Sequence, residues 1–496
     1  MVKKIRTKLQ NVPLAVRVST AYAVCSILQK CLSLITLPLF TRLLTQTQYG
    51  QYTIYQSWSS ILTIFLTLNL AYGSFSTAMV RFEKTRDGYI SSIQGICLAL
   101  TLAFLAIYLP FRNVWNAWFE LPTALVLVML CEIVTGTATQ LWMGKNQFEF
   151  RYKCVVGITL LTMFASPLTA YLLVSHTEEK GYARILGYAG VTIVIGSAFF
   201  IYNLFRGKKL WSRIYWKYAL SFNIPLLAYY LSQVVFNQSD RIMISHYCGT
   251  DKAAMYGVAY NLALVMNFVL NAINNSYVPW FYGRIKAGKT EENRMVSCGI
   301  AVLMALMLLC VIWYAPEIIR VMAGAQYTEA VGVVPPIAMS LLLLFYAQLF
   351  INMEFYYEEK RALVAASAGA AVVNIVLNAL LIPHFSFVAA GYTTLASYML
   401  FAACNYVAMK RMLRRRGLPN CAYNMRALLL ILGLFLLSSA LGMVLYGHLI
   451  PRIVITVLVF VCLVINRSRL IDILKTIKEK SPTPDAPDDS ERNGDV

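Results

Sequence analysis

The sequence predicts an all-α polytopic membrane protein with about 14 transmembrane helices, because apolar stretches long enough to span a bilayer recur from end to end. Of the 496 residues, 59% are hydrophobic and 13% are charged, and the mean hydropathy is +0.61. Soluble domains are about 45–50% apolar and about 25% charged. Backbone amides in lipid must be hydrogen-bonded within their own segment, so runs this apolar are expected to cross the membrane as helices.

The apolar stretches are separated by short polar loops, and their ends define the predicted spans. These are roughly residues 14–40, 50–73, 88–110, 121–143, 153–174, 183–205, 218–239, 253–280, 294–315, 331–353, 361–383, 385–408, 424–446 and 450–467. Spans 1–6 and 7–12 form two predicted six-helix lobes, residues 1–210 and 211–408, divided at a basic loop. Residues 409–470 are predicted to be an appended helix pair. The polar, acidic residues 471–496 are predicted to be a disordered cytoplasmic tail.

Lysines and arginines predict the orientation of the chain. Most of the 43 occupy the N-terminus, alternate loops and the C-terminal tail. The opposite loops carry Arg42, Arg112, Lys180, Arg184, Arg241, Lys252, Arg320 and Arg452. By the positive-inside rule both termini are expected to be cytoplasmic. The net charge of +20 therefore reflects topology, and no nucleic-acid partner is expected.

The stretch Leu37–Tyr52 is central to the prediction, because it contains the end of the first predicted span and the start of the second. Its sequence is LPLFTRLLTQTQYGQY, with a proline near the span end, an arginine at the membrane edge and a polar turn before Tyr-Gly-x-Tyr. A weaker copy follows in mid-chain, where Asp240-Arg241 ends span 7 and Tyr256-Gly257-Val258-Ala259-Tyr260 begins span 8. The two copies predict a diverged internal repeat. Because each half has an even number of spans, the halves share one orientation.

Three basic side chains in or beside the spans are candidates for anion binding. An ionisable group at the bilayer centre costs about 2.5–3.5 kcal/mol on insertion scales, which makes it a functional candidate by default. Lys30 lies well inside span 1, and Arg42 and Arg241 stand at matching ends of spans 1 and 7. The alternatives are that Lys30 snorkels to the headgroups or pairs with an acid, and that both arginines are interfacial anchors.

Two carboxylates are candidates for coupling to an ion, either sodium or a proton. They are Glu132, near the middle of span 4, and Asp240, at the end of span 7. As an alternative, Glu132 is the structural partner of Lys30 or Arg17, and Asp240 neutralises the arginine that follows it. Glu354 lies near a predicted cytoplasmic loop and is expected to be solvated.

Carboxamide side chains follow one face of span 8. The spacing of Asn267, Asn271 and Asn274 places them on one side of a helix. Such a face cannot meet lipid, because its donors and acceptors would be unpaired. It either hydrogen-bonds to other helices or lines a cavity that binds sugar hydroxyls. The other amides assigned to this predicted cavity wall are Gln56, Asn69, Asn237, Asn374 and Asn378.

The sequence argues against catalysis and metal binding. It contains no Walker lysine motif, no H-E-x-x-H and no G-x-S-x-G, and its loops are too short for a soluble catalytic domain. The 11 cysteines form no C-x-x-C pair, and the four histidines fall in or beside predicted outer loops. We therefore expect a transporter and no enzyme, with no cofactor beyond a possible coupling ion.

Span 1 ends in Pro-Leu-Phe-Thr-Arg-Leu-Leu, followed by a polar turn and Tyr-Gly-x-Tyr. In this the chain resembles the polysaccharide exporters of the multidrug/oligosaccharidyl-lipid/polysaccharide (MOP) superfamily. The nearest similarity is to Wzx-like flippases of O-antigen or capsule repeats. The resemblance implies two helical lobes around a cavity that opens alternately to each side. It implies a polyprenyl-pyrophosphate-linked oligosaccharide as substrate, carried from the inner to the outer leaflet of a bacterial inner membrane for exopolysaccharide assembly.

If the chain is such a flippase, Lys30, Arg42 and Arg241 would bind the pyrophosphate, and the amide side chains of the predicted cavity wall would bind the sugar. The implied partners are membrane lipid and the polysaccharide polymerase and export machinery, with the protein itself monomeric. The alternative is an ion-coupled multidrug antiporter of the same superfamily, although span 1 carries Arg17 and Lys30 where those relatives have an acidic residue. A polymerase or ligase acting on lipid-linked sugars is disfavoured, since the predicted outer loops are small.

Overall fold

A computed structural model describes residues 14–359, 361–418 and 422–465. Within these residues the chain is helical and contains no β-strand. The α-helices are α1 (Leu14–Leu43), α2 (Gln46–Thr67), α3 (Phe75–Arg81), α4 (Arg86–Tyr108), α5 (Arg112–Phe119), α6 (Thr123–Phe148), α7 (Tyr152–His176), α8 (Lys180–Gly207), α9 (Arg213–Cys248), α10 (Thr250–Lys286), α11 (Glu292–Trp313), α12 (Ala315–Met322), α13 (Val334–Tyr356), α14 (Arg361–Phe385), α15 (Val388–Arg415), α16 (Met425–Val444) and α17 (Leu449–Ile465). Short 3-10 segments lie at Glu83–Thr85, Ala325–Val333 and Leu445–Gly447. The predicted tail, 471–496, lies outside the described residues.

The helices confirm a polytopic membrane protein. Ten described helices are long and apolar enough to cross a bilayer, and the bent pair Arg213–Leu227 and Tyr230–Cys248 raises the number to 11. The predicted spans at 50–73, 385–408 and 450–467 correspond to α2, α15 and α17, which are not among the ten. Helix α2 is rich in Gln, Thr, Tyr and Ser, α15 ends in a basic run, and the apolar part of α17 is short. The total of fourteen spans therefore stays a prediction.

Helix α9 is longer than a bilayer requires and is bent. It has 36 residues, against the roughly 20 that cross about 30 Å of hydrocarbon. The two straight parts, ending at Leu227 and beginning at Tyr230, meet at 50°. Pro225 precedes the bend, and its missing amide hydrogen removes one hydrogen bond of the helix. The bend therefore has a local cause in the sequence.

By their contacts the described residues divide into two compact units. The first contains the residues up to Val258 together with Ile319–Ala330 and Ala371–Ala390. The second contains Ala259–Ile318, Val331–Ala370 and the residues from Gly391 onward. Both units are discontinuous in sequence, and α10 and α14 contribute to each. The predicted lobe boundaries at residues 210, 408 and 470 stay predictions.

Glycines let the helices of the first unit approach closely. Helix α8 packs against α6 and α7. A Cβ atom at Gly187 would lie 2.3 Å from Cα of Ala170, and one at Gly196 would lie 2.4 Å from the carbonyl oxygen of Thr135. Small residues at such crossings allow backbone contact that drives helix association in membranes.

In the second unit, the last helix is held by a buried arginine. Arg452 of α17 is 1% exposed. Its Nη2 lies 2.6 Å from Oε1 of Glu317 and its Nη1 lies 2.9 Å from Oε2, and it also donates to the carbonyl of Trp313. Glu317 belongs to the short helix α12, outside the apolar spans. Hydrogen bonds from the Arg452 guanidinium lower the pKa of Glu317 against the opposing effect of burial. Helix α17 is therefore tied to α12 by a bidentate ion pair.

This ion pair predicts an acid-sensitive part of the stability. We expect Arg452→Met to lower the free energy of unfolding by about 1.5–3 kcal/mol, as for hydrogen bonds to charged groups. Because the folded pKa of Glu317 is lowered, its contribution is present above the pKa of an unfolded glutamate, about 4.3, and is lost as the pH falls through the folded pKa. Thermal unfolding in detergent from neutral to acidic pH measures this contribution. The exposed Arg426→Met is the control. An identical acid dependence in wild type and Arg452→Met would contradict the assignment.

Candidate functional site

A polar cleft of the first unit surrounds Lys30. Its volume is about 390 Å³, and it is formed by α1, α7 and α8. Its polar lining residues are Gln29, Lys30, Ser33, Thr36, Thr162, Ser166 and Tyr188. The Lys30 side chain is exposed. A single ammonium group among hydroxyls and an amide is suited to an oxygen-rich anionic group.

Arg42 lies at the end of α12 and not in this cleft. Its guanidinium Nη2 donates to the carbonyl of Val321 at 3.1 Å, and Thr41 Oγ1 lies 3.3 Å from the carbonyl of Met322. The last four carbonyls of a helix lack partners within the helix, and a cation there also meets the negative end of the helix dipole. Gln326 Nε2 donates to the carbonyl of Thr41 at 2.6 Å. In this conformation Arg42 therefore caps α12.

The polar turn in front of α2 is a helix cap. Thr45 Oγ1 accepts from the amide of Gln48, and Gln48 Oε1 accepts from the amide of Thr45. This reciprocal arrangement is a capping box, which satisfies two amides at the helix start. The turn in Leu37–Tyr52 thus sets where α2 begins.

Arg241 is buried and bound mainly within α9. Its Nη1 donates to the carbonyl of Asn237 at 2.9 Å and to Oε1 of Gln238 at 2.7 Å. Ser57 of α2 donates to the same Gln238 oxygen at 3.2 Å. Neither Arg241 nor Arg42 is among the described residues that line the cleft of Lys30. The structure therefore places the three predicted cations at three separate positions of the first unit.

Asp240 is the centre of a buried polar cluster. It is 1% exposed and accepts hydrogen bonds from the hydroxyl of Tyr256 and from Nδ2 of Asn378, both at 2.6 Å. Asn378 also donates to Oδ1 of Asn374 at 3.2 Å. Ser239 Oγ donates to the same oxygen at 3.4 Å. Both asparagines are fully buried. They were predicted to line a sugar-binding wall, but here they surround a carboxylate.

The remaining amides have mixed surroundings. On α10, Asn271 is exposed and lies 3.5 Å from Asn267, whereas Asn274 accepts a hydrogen bond from Asn352 of α13 at 2.8 Å. At one end of this row of asparagines, Asn274 therefore takes part in helix packing, whereas Asn271 is exposed. Of the other predicted amides, Gln56 donates to the hydroxyl of Tyr52, Asn237 donates to its own helix, and Asn69 lies beyond the end of α2 in a left-handed turn.

The carboxylates Glu132 and Glu354 have different surroundings. Glu132 accepts a hydrogen bond from the hydroxyl of Tyr55 at 2.7 Å, and the ion pairs of the described residues do not join it to Lys30 or Arg17. Glu354 was expected to be solvated, but it is 1% exposed and neither of its carboxylate oxygens has a hydrogen-bond partner in the described residues. That expectation was wrong, because loop proximity in sequence does not show which way a side chain points.

Sequence reasoning missed Arg184, which lies at the centre of the Tyr-Gly-x-Tyr motif. Its guanidinium carbon lies 4.5, 4.4 and 3.8 Å from the ring centroids of Phe40, Tyr49 and Tyr52. The residue is 5% exposed, and its Nε and Nη1 have no hydrogen-bond partner in the described residues. Electron-rich ring faces stabilise a cation that lacks a counter-ion. The signal available in the sequence was an arginine on the same predicted side as this aromatic motif.

The glycine of the motif permits a close approach. A Cβ atom at Gly50 would lie 2.0 Å from the carbonyl oxygen of Thr250, the first residue of α10. A larger residue at position 50 would separate α2 from the start of α10. The second copy of the motif meets the first here, since a Cβ atom at Gly257 would lie 3.0 Å from Thr53 of α2.

The rings of Phe40, Tyr49 and Tyr52 form an aromatic cage around Arg184, and we expect the loss of this arginine to have a large effect on stability. We expect Arg184→Ala to lower the free energy of unfolding by about 2 kcal/mol or more, the value for a desolvated cation–π contact. Arg184→Lys should retain part of this free energy. Arg206→Ala, at the exposed end of the same helix, removes only a surface ion pair and should cost at most about 1 kcal/mol. Thermal unfolding of the purified variants tests the difference, and equal unfolding temperatures for the two alanine variants would count against the cage.

Comparison with known proteins identifies the family. A family model described as polysaccharide biosynthesis protein matches residues 16–283, more than half of the chain. Lsg locus putative protein 1 of Haemophilus influenzae is 22% identical over 378 residues, 72% of this chain and 88% of that protein. An uncharacterized membrane protein of the same organism is 22% identical over 287 residues, 55% of this chain and 66% of that protein.

Solved structures of transporters share the fold. The lipid II flippase MurJ in an inward closed conformation has a TM-score of 0.71 at 13% identity, covering 90% of this chain and 99% of that chain. An inward-facing multidrug resistance MATE family transporter of the MOP superfamily has a TM-score of 0.56 at 13% identity, covering 78% and 95%. The chain therefore belongs to the polysaccharide biosynthesis protein family, and the resemblance to polysaccharide-related proteins carried by Pro38–Tyr52 is confirmed.

Proposed function

We propose that this protein is a flippase for a polyprenyl-pyrophosphate-linked oligosaccharide. It carries this lipid from the inner to the outer leaflet of the bacterial cytoplasmic membrane by alternating access, for assembly of a surface polysaccharide such as O-antigen, capsule or exopolysaccharide. The observation that carries the proposal is the polar cleft around Lys30, which lies in a helix long and apolar enough to cross a membrane. Membership of a polysaccharide biosynthesis family supports the class of substrate.

In this proposal Lys30 binds the pyrophosphate. Arg42 and Arg241 contribute in a conformation in which they exchange their present carbonyl and amide partners for the ligand. Sugar hydroxyls meet the predicted amides outside the Asp240 cluster: Gln56, Asn69, Asn237, Asn267, Asn271 and Asn274. Asn374 and Asn378 are instead assigned to Asp240, since they hydrogen-bond within its cluster.

Asp240 is the proposed site for a coupling ion, sodium or a proton. The cluster offers a carboxylate, an amide oxygen of Asn374 and the hydroxyl of Ser239 as oxygen ligands. Glu132, held by Tyr55, is a second candidate for the same role. The proposed protein acts as a monomer in the inner membrane with both termini cytoplasmic, and it supplies the polysaccharide polymerase and export machinery.

The alternative function is an ion-coupled multidrug antiporter, favoured by the shared fold with a MATE transporter. Ligand-induced thermal stabilisation of the purified protein separates the two. A ligand that binds only the folded state at 100 times its dissociation constant stabilises by about 2.7 kcal/mol. We expect stabilisation by a polyprenyl-pyrophosphate oligosaccharide and none by cationic drugs. Stabilisation by drugs alone would replace the flippase proposal with the antiporter.

A further inference from the structure

Glu354 is a buried carboxyl group without a hydrogen-bonding partner. It lies in the last turn of α13, is 1% exposed, and both of its carboxylate oxygens are buried and unpaired in the described residues. Most buried polar side chains in proteins are hydrogen-bonded, so an exception needs an explanation. An ionised carboxylate at this position would be costly, because burial removes its water and no described residue donates a hydrogen bond in its place.

The described charged groups on the neighbouring segments are paired with one another or exposed to solvent. Glu359, just beyond the helix, lies 4.0 Å from Arg416, which also donates to the carbonyl of Tyr357. On the elements that pack against α13, Arg284 pairs with Glu292 at the start of α11, and Arg426 of α16 is exposed. The backbone amide of Glu359 donates to the carbonyl of Glu354 at 2.9 Å, so a second acidic residue lies on the adjacent turn.

Three described polar side chains on α13 and on the residues that contact it have hydrogen-bond partners other than Glu354. Asn352, two residues before Glu354, donates to Oδ1 of Asn274. The hydroxyl of Tyr423 donates to the carbonyl of Leu349, and that of Tyr346 donates to the carbonyl of Leu428. A bound metal cation requires several oxygen ligands, and the side-chain oxygens of Asn274, Tyr346 and Tyr423 already take part in other hydrogen bonds. A proton requires only one carboxylate oxygen.

We propose that Glu354 is a proton-binding site of the transport cycle. In the present conformation one carboxyl oxygen holds a proton taken from water, so the buried group is neutral. In a conformation that opens this end of α13 to water, the O–H bond breaks, the proton returns to water and the carboxylate is hydrated. The role in transport rests on the proposed function, whereas the protonated state is tested without any substrate.

Infrared spectroscopy of the purified full-length protein tests protonation directly. At neutral pH we expect a carbonyl band of a protonated carboxylic acid in wild type that is lost in Glu354→Gln and retained in Glu358→Gln. The control changes an exposed glutamate four residues away. In the wild-type protein, this carbonyl band should disappear at alkaline pH. It should be unchanged when sodium is replaced by choline. The proposal is overturned if this band is the same in wild type and Glu354→Gln. It is also overturned if the wild-type band is lost when sodium is added.

Transport provides a second, separable measurement. The probe is a fluorescent polyprenyl-pyrophosphate disaccharide in proteoliposomes with and without a pH gradient. We expect the gradient to stimulate wild type and Glu358→Gln, and the stimulation to be lost in Glu354→Gln while transport at equal pH remains. Gradient stimulation that persists in Glu354→Gln would overturn the coupling role. Failure of wild type to move the probe, with the infrared band present, would reject the proposed substrate and leave the protonated Glu354 standing.

Discussion

Lys30→Ala should weaken binding of the polyprenyl-pyrophosphate oligosaccharide by about 10- to 100-fold, because a hydrogen bond to a charged group contributes about 1.5–3 kcal/mol and 1.4 kcal/mol is tenfold in affinity. The lysine is the cation of the polar cleft of α1, α7 and α8. The other polar groups there are neutral, so they cannot replace its charge. Ligand-induced thermal stabilisation and transport in proteoliposomes both measure the effect.

Two variants make this result specific. Lys30→Arg keeps the charge and should retain much of the stabilisation. Arg17→Ala removes a cation from the same helix outside the cleft and should leave the response to ligand unchanged. Without added ligand, the unfolding temperature of Lys30→Ala should match wild type, since an exposed side chain contributes little to stability. Equal responses to ligand in Lys30→Ala and wild type would reject the assignment of the pyrophosphate to this cleft.

Asp240→Asn should remove the dependence of stability and transport on the coupling ion. The substitution keeps the shape of the side chain but removes the negative charge that attracts a cation. It also replaces one acceptor oxygen by a donor facing Tyr256 or Asn378, so we expect a loss of about 1.5–3 kcal/mol in the free energy of unfolding. Thermal unfolding over a series of sodium concentrations, with choline keeping the ionic strength constant, and over a series of pH values measures both effects.

Asp251→Asn is the matched control for Asp240. It changes a partly buried carboxylate in the first turn of α10 that lies outside the cluster of Tyr256, Asn374 and Asn378. It should leave the ion dependence as in wild type. An ion dependence that survives in Asp240→Asn would exclude Asp240 from the coupling role and leave Glu132 and Glu354, for which Glu132→Gln and Glu354→Gln are the next variants.

The sequence predicted the features that depend on local pattern. Apolar runs of bilayer length identified the helices, and the break predicted near Pro383 is present, with α14 ending at Phe385 and Ser386 in the left-handed region. The polar turn before Tyr-Gly-x-Tyr is a capping box, which is a signal contained within four residues. The family resemblance carried by Pro38–Tyr52 was also confirmed.

Contacts between distant segments were not predictable in the same way. The partner of Asp240 is Asn378, which lies 138 residues later, and the pattern on α14 alone fitted a sugar-binding wall equally well. Arg184 was assigned only to an outer loop, because nothing near it in sequence indicates three aromatic rings contributed by α1 and α2. Periodicity gives the face of a helix but does not identify what packs against it.

The sequence by itself determined that this protein lies in a membrane, that it is helical and to which family it belongs. Hydrophobicity, helix length and capping act over a few turns of one chain segment. Only the tertiary structure decided which polar residues meet. It assigned Arg42 to the end of α12, gathered Asn374 and Asn378 around Asp240, enclosed Arg184 in aromatic rings and buried Glu354. The physical reason is that the free energy of a charge depends on the atoms within a few ångströms of it, and in a folded helical protein many of those atoms belong to other helices.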